Sequence, residues 1–500
     1  MPEPYILAID QGTTSSRALV VDARGAVLGV GQHEFRQYYP RPGWVEHNPL
    51  EIWATTHQAM AGALAAAGLE PRRIAAIGVT NQRETIVLWD RRTGTPVAPA
   101  IVWQDRRSAE ICDQVRDAGF EPGITEATGL KLDPYFSGTK LTWMLRENPE
   151  LRARAQAGEL AAGTIDSWII WKLTNGARHV TDYTNACRTL LFNIHTGRWD
   201  DNLCGLLGIP AALLPEPQPS QSSFGTTDPR IFGAAVPITG VAGDQQSALF
   251  GQACFDERQA KNTYGTGCFL LANAGPQPPK SENRLLVSIG AGAGPAGPEY
   301  VLEGSVFVAG ALVQWLRDDL GLFGRGDDIA TLAASVPDSD GVMIVPAFTG
   351  LGAPDWDPYA RGAILGLTRG SSKAHIARAA LDAIALSSAE LVGAMNRDLP
   401  RPIQELRVDG GGSSNDLMMQ LQADYAGVAV IRPKQTETTA MGAAFLAGLG
   451  RGIWQSEDEV ASLWRAERTF TPRMGPAQRA EALKAWRKAV GRTLGWASPG

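Results

Sequence analysis

The chain has 500 residues, 44% hydrophobic and 20% charged, with a formal net charge of −6. That length exceeds a single core and points to two to four domains, and the composition is that of an ordinary globular protein. The negative balance argues against a nucleic-acid partner, which would need many cationic contacts to phosphate; the opening MPEPYILAIDQG has no basic leader and only a short apolar segment, so neither secretion nor membrane insertion is expected.

Residues 5–9, 18–21 and 27–30 read as a three-stranded meander with glycine-bearing turns. Its first link, DQGTTSSR, holds more hydroxyls than a tight turn requires; it is either a polar turn or a lining for an anion. A helix is expected over 49–66, with Trp53, His57, Met60 and Leu64 on one face. Residues 74–80 (IAAIGVT) read as a buried strand and 86–89 as another. The SxxK formed by Ser137 and Lys140 lacks its SDN and KTG companions and reads as chance. After GDQQSALFG, near Gly251, the plan starts over. Residues 260–264 lead into YGTGCFLLANAG, a strand, a glycine turn and a strand. Helices are expected over 311–320 and 372–397, the latter with Ile376, Ala380, Ile384 and Leu391 at helical spacing. A strand over 406–408 runs into DGGGSSND, and a last helix would place Leu483, Trp486, Val490 and Leu494 on one face. GAGPAG at 292–297 fits GxGxxG, yet strand-like PEYVLEGSVFVAG follows where that fingerprint needs a helix, so it reads as a hairpin loop. Strand and helix signals alternate throughout, which is the pattern of an α/β protein.

Cys112, Cys187, Cys204, Cys254 and Cys268 form no CxxC pair and read as reduced thiols of a cytoplasmic protein. The six histidines lack zinc spacing, and there is no GxSxG elbow. Three loops, AIDQGTTSSR (8–17), TYGTGC (263–268) and VDGGGSSND (408–416), share a different chemistry. Each follows a strand and joins glycine, which lets backbone N–H groups approach a ligand, to hydroxyl or acidic side chains. Asp10 and Asp409 sit at strand ends, where a carboxylate can hold the hydrated Mg²⁺ of a nucleotide polyphosphate. Arg17 can offset phosphate charge, and the Walker pattern GxxxxGK[ST] is absent.

Further blocks stand in order with these loops: PGWVEH (42–47), AAIGVTNQRET (75–85), AIVWQDRR (100–107), DPYFSGTK (133–140), AGDQQSALFGQ (242–252) and VPAFTGLGAPDWDPYARGAILGLTRG (345–370). Along nearly its whole length the chain resembles the FGGY carbohydrate kinase family, in the branch that acts on glycerol. The resemblance implies an α/β fold of two actin-like (ribonuclease-H-like) domains with an active-site cleft between them. Residues 1–251 would be the glycerol and phosphate side and residues 252–500 the nucleotide side. It implies Mg-ATP-dependent phosphorylation of glycerol to sn-glycerol 3-phosphate in cytoplasmic glycerol catabolism, by a homo-oligomer, dimer or tetramer.

Residue by residue, the resemblance makes Asp244 the general base, for which the alternative is a helix cap. It assigns glycerol to Arg83, Glu84, Tyr135, Asp244 and Gln245, with Trp103 and Phe269 as the apolar wall. A polyol needs both donors and acceptors, which Arg83 and Glu84 offer together; a surface ion pair is the other reading. As lone aromatics, Trp103 and Phe269 are equally core residues. ATP falls to Thr13, Thr14, Ser15, Arg17, Thr266, Gly310, Gln314, Gly411 and Asn415, and Mg²⁺ to Asp10. The stretch TTDPRIFGAA (226–235) has neither the glycine-lysine loop nor the histidine through which members of the family are regulated, so neither control is expected. A sister kinase for a ketopentose would share the phosphate loops but not the small Arg83, Glu84 and Trp103 pocket. A chaperone-type ATPase would have no use for NQRET and GDQQ.

Overall fold

The computed structural model describes residues 4–292, 299–324 and 328–498, so all of the GAGPAG hairpin loop after Gly292 lies outside the described residues. The chain divides into two compact units. The first is Met1–Ala253 with Val287–Tyr300 and Thr438–Leu463; the second is Cys254–Leu286 with Val301–Glu437 and Trp464–Gly500.

In the first unit the meander forms as Tyr5–Gln11, Ser15–Asp22 and Val27–Glu34, antiparallel throughout, with Asp10 opposite Arg17 near the turn. On its other side Tyr5–Gln11 runs parallel to Ile74–Asn81, which runs parallel to Pro237–Gly243. Parallel strands are covered on both faces and so read as continuous apolar runs; Ile6, Leu7, Ala8 and Ile9 are all fully buried.

The helix Pro49–Ala67 begins at Asn48, whose side chain accepts from Leu50 N, and ends at left-handed Gly68. Its buried face differs from the expected one. Met60 and Leu64 are inside, together with Ile52, Thr56, Ala59 and Ala63, but Trp53 is half-buried and His57 is exposed. The reason lies in the strand beneath: a Cβ on Gly31 would fall 2.2 Å from Ala59 O. Small residues on the helix meet glycines on the strand, the backbones close up, and Trp53 and His57 fall on the flank of the buried face.

The second unit repeats the plan. Gln259–Tyr264 and Cys268–Gly275 form an antiparallel hairpin, and Gln259–Tyr264 runs parallel to Glu405–Asp409, which runs parallel to Ala429–Pro433. Gly310–Asp318 and Lys373–Asp398 are the expected helices, with Ala380, Ile384 and Leu391 buried. The last helix, Pro476–Val490, buries Trp486 and Val490 but stops short of Leu494, which is 44% exposed on the turns that follow. No helix among the described residues is long and apolar enough to cross a membrane.

Candidate functional site

Because Tyr5–Gln11, Ile74–Asn81 and Pro237–Gly243 run parallel, the residues after them emerge at one edge of the first sheet; Gln11 and Gly243 both lie in register with Asn81. Open α/β sheets place their ligands at such carboxyl ends. This edge carries Gly12 to Ser15, Arg83 with Glu84, and Asp244.

Asp244 is the first residue of the helix Asp244–Gly251, and Gly243 occupies the cap position. Its Oδ1 accepts from Gln245 N at 2.7 Å and lies 3.1 Å from Arg83 Nε. The carboxylate side chain is 29% exposed, so a ligand can reach it. Arg83 crosses directly over Gly243, where a Cβ would come within 2.7 Å of its Cγ and Cδ. The surface-pair reading fails for Arg83 and Glu84, since both are buried. Glu84 takes a left-handed backbone, φ 60°, pinned by Ser137 Oγ donating to Glu84 O at 2.9 Å. Its Oε1 accepts from Arg188 Nε at 2.6 Å and lies 3.9 Å from Arg83 Nε.

The half-buried rings of Trp103 and Tyr135 meet edge to face at 5.8 Å. Trp103 Nε1 donates to Thr13 Oγ1 at 2.9 Å, which joins the aromatic pair to the hydroxyl loop. The buried Lys140 ammonium donates to the carbonyls of Tyr135 and Phe136, and burial pulls it down to about 8. The loop itself rests on amides: Gln82 Nε2 donates to Gly12 O at 3.1 Å and Gln37 Nε2 to Thr13 O at 3.0 Å. Thr14 is exposed and Ser15 half-buried. Arg17 donates to Gln32 Oε1 at 2.7 Å, and Gln32 in turn donates to Ser15 Oγ at 3.0 Å.

Behind this edge lies a buried polar rack. Asn81 and Asn185 exchange side-chain hydrogen bonds at 2.9 and 3.0 Å. Asp182 accepts from Asn185 Nδ2 at 2.8 Å and from Thr184 Oγ1 at 2.7 Å, and Thr184 Oγ1 accepts from Gly243 N at 2.8 Å. The ends of two strands are thereby tied to one carboxylate, whose pKa is raised by burial.

In the second unit the hairpin end gathers the other expected residues. Thr266 is exposed in the turn, and its carbonyl accepts from Ala309 N at 2.8 Å. Gly310 N donates to Gly265 O at 3.0 Å and opens the helix on which Gln314 stands exposed. Gly410, φ 79°, sits against Tyr264, and Gly411 begins the short turn Gly411–Ser414. Asn415 caps the next helix, Asp416–Ala426, accepting from Met418 N at 3.0 Å. Phe269 is half-buried in this hairpin, opposite Thr263.

No group of three or more His, Cys, Asp or Glu side chains among the described residues is placed to cage a metal. Asp10, half-buried at its strand end, supplies a single carboxylate. That suits Mg²⁺ carried in on phosphates, since this ion keeps several waters and takes one or two protein carboxylates. Sequence reasoning did not single out Arg188, the structural use of Lys140, or the Asp182 rack. The run TDYTNA (181–186) is the faint local signal for the rack, with Thr181, Asp182, Thr184 and Asn185 clustered at a helix start.

Sequence comparison divides the chain into two contiguous family domains. The FGGY family of carbohydrate kinases matches by its N-terminal domain over residues 5–251 and by its C-terminal domain over residues 260–450. A protein of Aromatoleum aromaticum named glycerol kinase is 60% identical over 492 residues, 98% of this chain and 99% of its own length. One of Deinococcus radiodurans bearing the same name is 55% identical, covering 98% of each chain. Among solved structures, Plasmodium falciparum glycerol kinase with ADP aligns with a TM-score of 0.91 at 36% identity over 98% of both chains. A xylulose kinase from Lactobacillus acidophilus shares the fold, with a TM-score of 0.88 at 24% identity over 98% of this chain and 99% of its own. The two-domain, actin-like α/β architecture expected from the sequence is the one these structures share.

Proposed function

The chain belongs to the FGGY family of carbohydrate kinases, and we propose that it is a glycerol kinase, transferring the γ-phosphoryl group of Mg-ATP to glycerol to give sn-glycerol 3-phosphate in glycerol catabolism. The observation that carries this reading is the run of opposite charges at the strand ends, where Arg83 Nε stands 3.1 Å from Asp244 and 3.9 Å from the buried Glu84. A polyol offers hydroxyls that both donate and accept, and this run presents both partners beside a reachable carboxylate.

Asp244 is the general base. It takes the proton of the attacking hydroxyl while that oxygen bonds to the γ-phosphorus and the bond to the β,γ-bridging oxygen breaks, leaving ADP. Arg83 holds the carboxylate in place. Arg83, Glu84, Tyr135 and Gln245 bind the glycerol hydroxyls, and Trp103 and Phe269 take the carbon skeleton. Thr13, Thr14, Ser15 and Arg17 serve the phosphates; Thr266, Gly310, Gln314, Gly411 and Asn415 serve the rest of the nucleotide. Asp10 would hold Mg²⁺, which offsets the phosphate charge when bound. As domains we assign residues 1–251 to glycerol and phosphate and residues 252–500 to the nucleotide, except that Val287–Tyr300 and Thr438–Leu463 belong to the first compact unit. The reaction belongs to the cytoplasm, in keeping with five buried free cysteines, and the enzyme is a homo-oligomer, dimer or tetramer.

The test is ADP release measured side by side with glycerol, xylulose, ribulose and erythritol. Glycerol is expected to give the highest kcat/KM, and the absence of that preference would overturn the assignment.

A further inference from the structure

We propose that Arg188 is a positioning residue for the polyol pocket, holding Glu84 away from Arg83 so that Glu84 serves the substrate and Arg83 stays on Asp244. The inference rests on the proposed function in giving Glu84 to the glycerol hydroxyls.

Glu84 lies within reach of two guanidinium groups. Arg188 Nε is 2.6 Å from its Oε1, whereas Arg83 Nε is 3.9 Å from the same oxygen and 3.1 Å from Asp244 Oδ1. The Arg83, Glu84 and Arg188 side chains are 2%, 2% and 0% exposed, so water does little to weaken the competition among them. Lys140 also faces Glu84, but its ammonium is turned to the carbonyls of Tyr135 and Phe136.

Arg188 is itself fixed on three sides. Its Nη1 donates to Ser288 Oγ at 2.9 Å, and its guanidinium lies 5.1 Å from the Phe136 ring centre and 5.6 Å from that of Tyr135. Ser288, on the strand Leu286–Ile289, is grouped with the first unit. Take Arg188 away and Glu84 keeps its charge, its strained backbone and its neighbour Arg83. The Arg83–Glu84 gap then closes, which covers the donor and the acceptor meant for glycerol and draws Arg83 off the base. The planar fork is suited to this role because it meets Glu84 and Ser288 at once.

The experiment is a double-mutant cycle of Arg188→Gln and Glu84→Gln in the full chain, reading KM for glycerol, KM for ATP, kcat and the melting temperature. Arg188→Lys is added as the conservative rescue. Arg188→Gln is expected to raise the glycerol KM about 10- to 100-fold, the size of a lost charge-assisted contact, with the ATP KM within about twofold. Arg188→Lys recovers part of that loss. Added to Glu84→Gln, Arg188→Gln changes the glycerol KM by less than about threefold, because the carboxylate it restrains is already gone. If Arg188→Gln alone does not fold, the double variant, which leaves no unpaired buried charge, carries the comparison with Glu84→Gln. Effects that multiply across the cycle, or equal weakening of glycerol and ATP, would overturn the proposal. Wild-type protein without glycerol-dependent ADP release would instead overturn the proposed function, an outcome read before any variant is made.

Discussion

Each of the two units builds an antiparallel hairpin beside two parallel strands, yet they dress the same strand ends in opposite ways. In the first, the ends after Ile74–Asn81 and Pro237–Gly243 carry Arg83, Glu84 and Asp244, held by ion pairs such as Arg83 to Asp244 at 3.1 Å. In the second, they carry Gly265, Thr266, Gly410 and Gly411, held by backbone contacts such as Gly310 N to Gly265 O at 3.0 Å. On the proposed roles, one topology would support two chemistries. Taking a proton from an alcohol needs a titratable group in a fixed field, while cradling a nucleotide needs close backbone approach. Changes in the first set should therefore alter turnover or the polyol, and changes in the second should alter ATP.

The sharpest break of that division is Asp244→Asn, which is expected to lower kcat by about 10²- to 10⁴-fold, the usual worth of a positioned general base. The ATP KM should barely move. Near-normal turnover in steady-state assays would remove Asp244 from the mechanism. Next in size is Glu84→Ala, expected to raise the glycerol KM about 10- to 100-fold through loss of a charged acceptor. Equal weakening of ATP would point to damage of the fold instead.

The second unit gives a finer contrast between two glycines. A Cβ on Gly411 meets nothing within 4 Å, whereas one on Gly310 would fall 2.5 Å from Gly265 O. Gly411→Ala is expected to raise the ATP KM about 3- to 10-fold, a change of roughly 1 kcal/mol, at an unchanged melting temperature. Gly310→Ala should weaken ATP and lower the melting temperature together. An unaffected ATP KM in Gly411→Ala would take that glycine out of the nucleotide site.

What the sequence disclosed follows the range of the interactions. The strands declared themselves as local apolar runs, and the loops as local clusters of glycine and hydroxyl. The face of Pro49–Ala67 did not, because it is chosen by Gly31 on a neighbouring strand rather than by the size of the helix's own side chains. Leu494 continued the helical spacing past Val490, where the backbone turns instead. Arg188 and Glu84 are 104 residues apart, and no local pattern tells a buried arginine from a solvated one. The site was legible where it lies in loops and hidden where distant ion pairs brace it.

The smallest effect on activity concerns how the two units carry their buried acids. Asp166 in the first unit accepts from Thr164 Oγ1 at 2.5 Å and Thr181 Oγ1 at 2.6 Å, while burial and then the charge of Asp182 push its pKa up to about 7. The folded value lies above the unfolded one near 3.9. The protonated acid therefore favours the fold: its contribution is complete below about pH 4 and is lost as pH rises through about 7. Asp382 in the second unit is also raised by burial, but Arg378 Nε, 3.2 Å away, opposes the shift. Asp166→Asn cannot ionise, so its melting temperature relative to wild type should climb from pH 5 to about pH 7 and level off above it, by at most roughly 2–3 kcal/mol of stability. Asp382→Asn should show a shallower climb. Parallel melting curves for Asp166→Asn and wild type across that range would mean that Asp166 is already ionised in the fold, and the contrast between the two acids would fail.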